Sequence, residues 1–403
     1  MKTQRFIIAA LLLIGASLFS QAQHYQKRYI STAVPFLTIA PDVRGASLGF
    51  SGVATSPDAF SMFYNPAKYA FIKNDRTMIA TGFSAFSSVA SRQILLYDAF
   101  AQKIGKSAIA ATARYNRSGE IDYLDENDYH LISFRPREFA IDVAYSYRFS
   151  DYFSAGIAGR FIHSNLKEGM THFSAKSYSI AGDLSAYYKR PLGSLVDMSL
   201  GAAITNIGTK MAYYSSLSEH KDFVPTTLRL GTGFQFNIHP KHTLTLNLEF
   251  SKLLVPTPPI IEKDENDEPL YNNDGAFKIK YGYDGNVSAL CGMFRSFYDA
   301  PGYALNYATW EYDNIGWFYE ELCEINTGMG LEYNLADHFF VRSGFYHVPR
   351  LKGGVNCLTE GLGIHFGIFG MDLSYSFYFW MASAVTNDQF MNSHLRWNMY
   401  FSF

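Results

Sequence analysis

Alternating apolar and polar positions near the C-terminus indicate the fold of this chain. Along residues 394–403 every second residue is apolar, and the residues between are polar; the apolar positions are Leu395, Trp397, Met399, Phe401 and Phe403. Because successive side chains of a strand point to opposite faces, this stretch predicts a strand with one apolar face. The pattern recurs through most of the chain. It predicts a transmembrane β-barrel, in which lipid-facing and interior side chains alternate.

About fourteen alternating runs follow residue 75, each near the roughly 9–11 residues that a tilted membrane strand needs. We predict strands at 77–86, 92–104, 107–117, 138–149, 153–166, 177–189, 194–207, 226–237, 242–253, 324–335, 339–348, 357–368, 371–379 and 393–403. Long connections, of which 254–323 is the longest, alternate with tight turns at 105–106, 150–152, 190–193, 238–241, 336–338 and 369–370. Short periplasmic turns and longer extracellular loops are typical of outer-membrane barrels. A soluble β-sandwich or propeller would not explain this alternation.

Charged side chains keep to one parity of these runs. In run 138–149, Asp142 and Arg148 lie on the parity opposite to Ile141 and Val143. An Arg or Lys on the lipid face at the bilayer midplane costs about 2–4 kcal/mol, so the charged parity is predicted to face the lumen. The predicted lumen charges are Asp142, Arg148, Arg160, Asp183, Arg229, Glu249, Arg342 and Arg396.

Residues 1–22 have the pattern of a secretory signal peptide. Lys2 and Arg5 precede an apolar stretch, and Ser20 and Ala22 form a small-x-small cleavage site. Neither this stretch nor any later one offers the roughly 18 uninterrupted apolar residues of a spanning helix. A membrane location therefore requires a closed barrel, since only helices and barrels satisfy every backbone group in lipid.

Residues 23–75 lack long strand periodicity but are rich in apolar and small residues. A barrel of about fourteen strands has a lumen that its own side chains cannot fill. We therefore predict three regions: a signal peptide at 1–22, an N-terminal plug at 23–75 and an outer-membrane barrel at 76–403. Asp42 and Arg44 of the plug are expected to pair with lumen charges, because buried charges need partners.

The composition agrees with an exported barrel. Aromatic residues make up 17% of the chain although its mean hydropathy is only −0.07, which fits aromatic girdles around a polar interior. The net charge of −2 gives no electrostatic case for nucleic-acid binding. The cysteines at 291, 323 and 357 leave two alternatives open, a Cys291–Cys323 disulfide across the longest loop or unpaired cysteines.

Two predicted loops, 208–225 and 254–323, are rich in aromatic residues. We predict contacts with other proteins at Tyr213, Tyr214, Trp310, Tyr312, Trp317 and Phe318. Exposed rings suit protein recognition, where aromatics supply hot spots, or anchoring at the membrane surface. Packing of the loops on themselves is the third alternative.

No motif in the chain establishes catalysis. Residues 45–49 read G-x-S-x-G around Ser47, but a nucleophile elbow needs a preceding strand, which this segment lacks. The eleven histidines form neither a zinc motif nor a cluster with cysteine. We therefore predict no catalytic residue, no metal site and no cofactor.

Residues 32–45, 49–55 and 61–70 closely resemble the PorV family, outer-membrane proteins of the Bacteroidota type IX secretion system. Residues 63–67 also resemble the end of the N-terminal hatch in the wider FadL superfamily. Shorter similar pieces at 297–302, 328–333, 342–346 and 372–375 extend the resemblance over most of the chain. The family's hatch motif transfers here to Pro35, Pro41, Asp42, Arg44, Gly45, Asn65 and Pro66.

The resemblance implies a fourteen-stranded, FadL-like barrel that does not itself conduct cargo. Proteins similar to PorV bind the C-terminal signal domains of cargo as it emerges from the SprA/Sov translocon. They deliver it to the PorU-containing attachment complex, where the signal is removed and anionic lipopolysaccharide is attached. The implied partners are therefore a SprA/Sov-like translocon, cargo signal domains, a PorU-like sortase and outer-membrane lipid or lipopolysaccharide. The alternative function is that of a FadL-type transporter of hydrophobic small molecules.

Overall fold

The computed structural model describes residues 25–73, 76–87, 92–124, 130–166, 176–213, 221–379 and 393–403. Its main feature is a closed barrel of fourteen antiparallel strands. In chain order these are β1 (Thr77–Ser87), β2 (Arg92–Ile104), β3 (Ser107–Arg117), β6 (Arg137–Arg148), β7 (Phe153–Asn165), β8 (Lys176–Pro191), β9 (Val196–Gly208), β10 (Thr227–His239), β11 (His242–Leu253), β16 (Ile325–Leu335), β17 (Phe339–His347), β18 (Asn356–Phe366), β19 (Phe369–Phe379) and β20 (Ser393–Ser402). The first strand pairs with the last, so the sheet has no open edge.

Six short strands pair outside the barrel, within the long connections. They form three hairpins: β4 (Ile121–Leu124) with β5 (His130–Phe134), β12 (Ile260–Ile261) with β13 (Ile279–Tyr281), and β14 (Tyr303–Asn306) with β15 (Glu311–Asn314). The sequence pattern did not predict these hairpins. Long connections and tight turns lie at opposite ends of the barrel, which we call the loop end and the turn end.

The predicted fold class, a barrel of fourteen antiparallel strands, is confirmed. One predicted turn is wrong: residues 369–370 belong to β19, and the turn is formed by Gly367 and Ile368. Gly367 has a φ of +60°, a left-handed conformation that a tight turn requires and that glycine adopts without steric cost. Sequence alternation continues across this turn, so it did not reveal the end of the strand.

Alternation along the strands separates two faces of the wall. In β6, Ile141 and Val143 are 50% and 62% exposed, whereas Ala140, Asp142 and Ala144 are buried. The exposed parity carries mostly apolar side chains around the barrel, and we call it the outer face. The opposite parity contacts residues 25–73, the N-terminal segment, and we call it the inner face. Because successive side chains of a strand point to opposite faces, the outer side chains meet a lipid-like environment and the inner ones a polar environment.

The helical elements are short. The N-terminal segment contains α1 (Val43–Ser47) and three 3-10 turns at Pro35–Thr38, Ser61–Phe63 and Pro66–Phe71. The connection between β11 and β16 contains α2 (Ala289–Arg295) and α3 (Trp317–Leu322), and a further 3-10 turn lies at Arg350–Lys352. Within the described part of the chain, no helix has both the length and the apolar character to cross a membrane.

A charge on the outer face tests this division of the wall. We expect Val143→Arg, in the middle of β6, to lower the free energy of unfolding by about 2–4 kcal/mol, because the guanidinium would face hydrocarbon. Leu192→Arg is the matched control; Leu192 is 49% exposed but lies between β8 and β9, and its replacement should cost under about 0.5 kcal/mol. Urea unfolding of protein folded into lipid vesicles measures both values. Equal losses in the two variants would contradict the assignment of the outer face.

Candidate functional site

The hatch motif residues shape the N-terminal segment locally. Asp42 caps α1 by accepting a hydrogen bond of 2.6 Å from the backbone N–H of Gly45. Asn65 caps the turn that begins at Pro66, accepting from the N–H of Ala67 at 3.1 Å. The side-chain amide of Asn65 also donates to the carbonyls of residues 53 and 186, the second of which belongs to β8. Capping therefore fixes the fold of this segment and ties it to the wall.

The remaining hatch residues take different positions. Pro35 is exposed at the start of the first 3-10 turn, whereas Pro41 is buried just before α1. Gly45 lies against the ring of Tyr64, and a Cβ at this position would come within 2.5 Å of that ring. Gly45 is thus required by close packing, with no need for an unusual backbone conformation.

Arg44 makes the main ionic link between the N-terminal segment and the wall. Its guanidinium binds both carboxylate oxygens of Glu332 in β16, at 2.8 and 2.9 Å. Glu332 also accepts from Arg342 of β17 at 2.7 Å, and Arg342 pairs with Asp372 of β19 at 2.7 Å. The expectation that Arg44 pairs with an inner-face charge thus agrees with the geometry, whereas Asp42 serves as a helix cap instead.

Two further wall charges bind backbone groups of the same segment. Glu249 of β11 accepts from the N–H groups of Gly52 and Val53 at 2.7 and 2.8 Å and pairs with Arg229 at 2.9 Å. Arg396 of β20 donates to the carbonyl of Ala40 at 3.2 Å. Strands β17 to β20 contact α1, whereas β2, β3 and β6 to β8 contact the turn at Pro66–Phe71. Strands on opposite sides of the closed sheet therefore hold the same segment.

The other predicted lumen charges pair within the wall. Arg160 of β7 binds Asp142 of β6 on one side and Asp183 of β8 on the other. A register shift between β8 and β9 lets the N–H of Asn206 donate to Asp183 at 2.7 Å. Arg148 differs, because it lies at the turn end and pairs with exposed Asp151. Its guanidinium lies 4.9 Å from the centre of the Phe71 ring.

At the loop end, α3 has an inverted arrangement of polar and apolar faces. Trp317, Phe318 and Leu322 are 53%, 61% and 48% exposed, whereas Glu320 and Glu321 are only 0% and 7% exposed. A surface helix normally turns its charges to water and its rings to the core. Exposed aromatic patches rimmed by polar groups mark interaction surfaces. This helix is therefore the strongest candidate for a binding surface.

Buried ion pairs explain how α3 can bury its carboxylates. Glu320 pairs with Lys352 at 2.8 Å and with Arg28 at 3.3 Å. Glu321 pairs with Lys252 at 2.9 Å, so strand β11 also holds this helix. We call these residues, together with Glu324, which binds both lysines, the rim cluster. It joins the N-terminal segment, the long connection and the connection between β17 and β18 into one support for the exposed face of α3.

The remaining predicted loop aromatics are spread over different environments. Trp310 is 72% exposed at the end of the β14–β15 hairpin, and Tyr312 is half-buried in β15. Tyr213 is also half-buried and accepts a hydrogen bond of 3.2 Å from the N–H of Val34, so it supports the N-terminal segment instead of forming an exposed surface. Tyr214 lies outside the described residues, as do the predicted signal-peptide residues 1–22.

Sequence reasoning missed two features of the loop end. One is α2, where Leu290 and Phe294 are 59% and 66% exposed; their i, i+4 spacing was the available signal. The other is the rim cluster, whose members are far apart in sequence and gave no local signal. The structure also decides between a Cys291–Cys323 disulfide and unpaired cysteines, because all three cysteines are free.

Ser47 of the G-x-S-x-G pattern is fully buried in α1, and its hydroxyl donates to the carbonyl of Arg44 at 3.0 Å. The helix packs so tightly that a Cβ at Gly361 of β18 would come within 2.5 Å of the Ser47 Cβ. In the described ranges, no three His, Cys, Asp or Glu side chains converge as a metal site would require.

Removing Arg44 tests the link between segment and wall. We expect Arg44→Ala to lower the free energy that holds the segment in place by about 3 kcal/mol, because it breaks a buried pair. Hydrogen exchange of residues 33–72 measures this loss, while the barrel strands should keep their protection. Arg135→Ala is the control, since the Arg135–Glu120 pair is 45% exposed on both sides and should contribute under about 1 kcal/mol. Unchanged exchange in the Arg44 variant would contradict the role of this pair.

Asp299, next to the rim cluster, predicts a pH dependence of the loop end. Burial raises its pKa to about 7, and the nearby carboxylates of Glu321 and Glu324 add to the shift. The folded pKa exceeds the ordinary value of 3.8, so the native connection binds the proton more tightly and loses stability as pH rises from about 4 to about 7.

We therefore expect Asp299→Asn to slow local opening of this connection at pH 8 and to change little at pH 4. Hydrogen exchange, corrected for the intrinsic pH dependence of amide exchange, measures the opening free energy. Asp274→Asn, at an exposed aspartate of the same connection, is the control and should leave the profile unchanged. A pH profile unaffected by Asp299→Asn would contradict the assignment.

Comparison with solved structures shows the fold of the FadL-like outer-membrane channels. A crystal structure of the Pseudomonas putida toluene transporter TodX has a TM-score of 0.50 at 10% identity and covers 94% of this chain and 99% of its own. The Ralstonia pickettii toluene transporter TbuX has a TM-score of 0.46 at 12% identity, covering 90% and 97%. A Pseudomonas aeruginosa FadL homologue has 0.44 at 10%, covering 94% and 98%. At these identities the likeness concerns the fold alone. It rests on TodX, whose TM-score is 0.50.

A family model provides the more specific match. The model described as type IX secretion system protein PorV matches residues 21–260, more than half of the chain. No curated protein matches the chain. The matched range contains the N-terminal segment with its capping residues and the strands from β1 to β11. The chain therefore belongs to the PorV family, and it is an outer-membrane component of the type IX secretion system.

Proposed function

We propose that this protein binds the C-terminal signal domains of secreted cargo at its loop end and carries them to an attachment complex. The partners would be a SprA/Sov-like translocon, from which cargo emerges, and a PorU-like sortase, which receives it. Outer-membrane lipid or lipopolysaccharide would surround the barrel. Family membership supports the secretion role, and the geometry of the loop end supports the mode of binding.

The inverted face of α3 is the observation that carries this proposal. Trp317, Phe318 and Leu322 present an apolar surface, and the rim cluster beneath holds it in place. A preformed apolar surface binds without a large ordering cost, and aromatic residues supply most hot spots of protein interfaces. With the tight turns in the periplasm, this surface faces the cell exterior, where cargo emerges.

The N-terminal segment is proposed to act as a plug, with residues 23–75 closing the lumen and 76–403 forming the barrel. Its support is the set of links to opposite strands, including Arg44 to Glu332 and Ala40 to Arg396. A plug held in this way makes the barrel a docking platform. A FadL-type transporter would need the same segment to move, and breaking several buried charged contacts makes such movement costly.

Replacing the α3 rings tests the proposed binding surface. We expect the double variant Trp317→Ala, Phe318→Ala to weaken binding of a purified cargo signal domain by about 2 kcal/mol or more, roughly 30-fold, because it removes two exposed rings at the centre of the surface. Binding is measured by calorimetry with detergent-solubilised protein.

Phe366→Ala is the matched control, since Phe366 is 49% exposed beside the turn between β18 and β19, at the other end of the barrel. It should leave the affinity unchanged. If the α3 variant bound the signal domain as tightly as the unmodified protein, the loop surface would not be the cargo site. Uptake of a hydrophobic nutrient that depends on this protein, with normal cargo secretion in its absence, would favour the transporter function.

A further inference from the structure

An aspartate lies on the outer face of the barrel, where the surrounding side chains are apolar. Asp98 of β2 is exposed and shares this face with Leu96 and Phe100. It is the central residue of Arg92–Ile104, six residues from each end. Since about 9–11 residues of a tilted strand cross the hydrocarbon core, the Asp98 carboxylate lies near the middle of the bilayer.

No described residue forms a hydrogen bond or an ion pair with this carboxylate. Its neighbours across the ladder are Thr81 of β1 and Ala113 of β3. The outer face of β18 offers a contrast, because the carboxylate of Glu360 accepts a hydrogen bond of 2.9 Å from Ser343. An ionisable side chain within the membrane is rare and normally marks a site where another group pairs with it. Asp98 is an ionisable group at such a position and has no partner among the described residues.

The wall around Asp98 forms a groove of about 490 Å³. Its floor includes the small side chains of Ala111 and Ala113, and Ile141 and Met399 line its sides. Small residues let the backbone of another membrane segment approach closely. The ladders from β1 through β2 and β3 to β6 are continuous here, so the groove faces the membrane and is not a passage to the inner face.

We propose that this groove docks a membrane-spanning segment of a partner protein, which presents an Arg or Lys side chain to Asp98 at mid-bilayer depth. Acyl chains have no donor for a carboxylate, and lipid headgroups lie about 15 Å away, beyond half of the hydrocarbon core. A basic residue of a second protein satisfies both the charge and the depth, and a segment with small or slender side chains fits the groove.

A second copy of this chain lacks the required group. In the described strands, basic residues on the outer parity lie only at strand ends, as Arg137, Lys176 and Arg190 do. None is at the depth of Asp98. The proposed site belongs to the barrel wall and is independent of cargo binding at α3, so either proposal can fail without the other.

Photo-crosslinking in the native outer membrane tests the docking site. Phe401, which lines the groove, is replaced by p-benzoylphenylalanine, and the same replacement of Phe250 on β11 serves as the control position. We expect the Phe401 label to form an adduct with a second protein. The linked peptide should lie in a membrane-spanning segment that contains Arg or Lys, and the Phe250 label should give no such adduct.

Variants of the two outer carboxylates complete the test. Asp98→Ala should reduce the adduct about tenfold or more, because a charged hydrogen bond in an apolar medium is lost. Glu360→Gln, outside the groove, should leave the yield unchanged. Asp98→Arg should also abolish the adduct, and Asp replacing the partner's basic residue should restore it. Heat-modifiable migration on gels verifies that each variant is folded.

Three results would overturn the proposal. The Phe401 label could react with lipid or a second copy of this chain only. The linked peptide of the partner could lie outside the membrane or lack a basic residue. The yield could be insensitive to Asp98→Ala in a folded barrel.

Discussion

Buried charges that must be paired are the constraint on which this structure depends. Arg44, Glu332, Arg342 and Asp372 form a continuous line of ion pairs from the N-terminal segment across three strands. Each ion loses hydration on burial, so each is tolerated only with partners of good geometry. The charges of the wall therefore need partners in the segment, and Arg44 of the segment needs a partner in the wall. The same rule operates at the loop end, where the rim cluster buries the carboxylates of α3 and leaves its rings exposed.

Family membership and fold together define what kind of protein this is. The barrel has the architecture of hydrophobic-compound channels such as TodX, yet the chain belongs to a secretion-system family. The difference resides in what the barrel contains and presents. The N-terminal segment is bound by strands on opposite sides of the barrel. We propose two places where other proteins dock, the α3 surface in water and the Asp98 groove in lipid.

The barrel was predictable because its wall separates two uniform environments. In β6, every second residue must suit hydrocarbon, so Ile141 and Val143 revealed the register without any tertiary information. The pairing of Arg44 was expected from burial alone, although its partner Glu332, 288 residues away, was not. The turn after β18 was misplaced because alternation runs through it.

The loop end was less predictable because its order comes from distant contacts. Glu320 meets Arg28 across 292 residues and Lys352 across 32, and neither contact has a local pattern. Charges in a loop helix are normally expected at the surface, so the inverted α3 could not be read from its own residues. The contact of Tyr213 had no local pattern either, since its hydrogen bond to Val34 spans 179 residues. Asp98 departs from the alternation of β2, and this departure was the only local signal for the proposed groove.

A cryo-EM reconstruction of the protein in lipid nanodiscs with a bound cargo signal domain tests the central claim most directly. We predict cargo density on the exposed face of α3, over Trp317 and Phe318, while Arg44 still contacts Glu332 in an unchanged barrel. Cargo density within the barrel in place of the N-terminal segment, or α3 immersed in lipid with no cargo near it, would contradict the account.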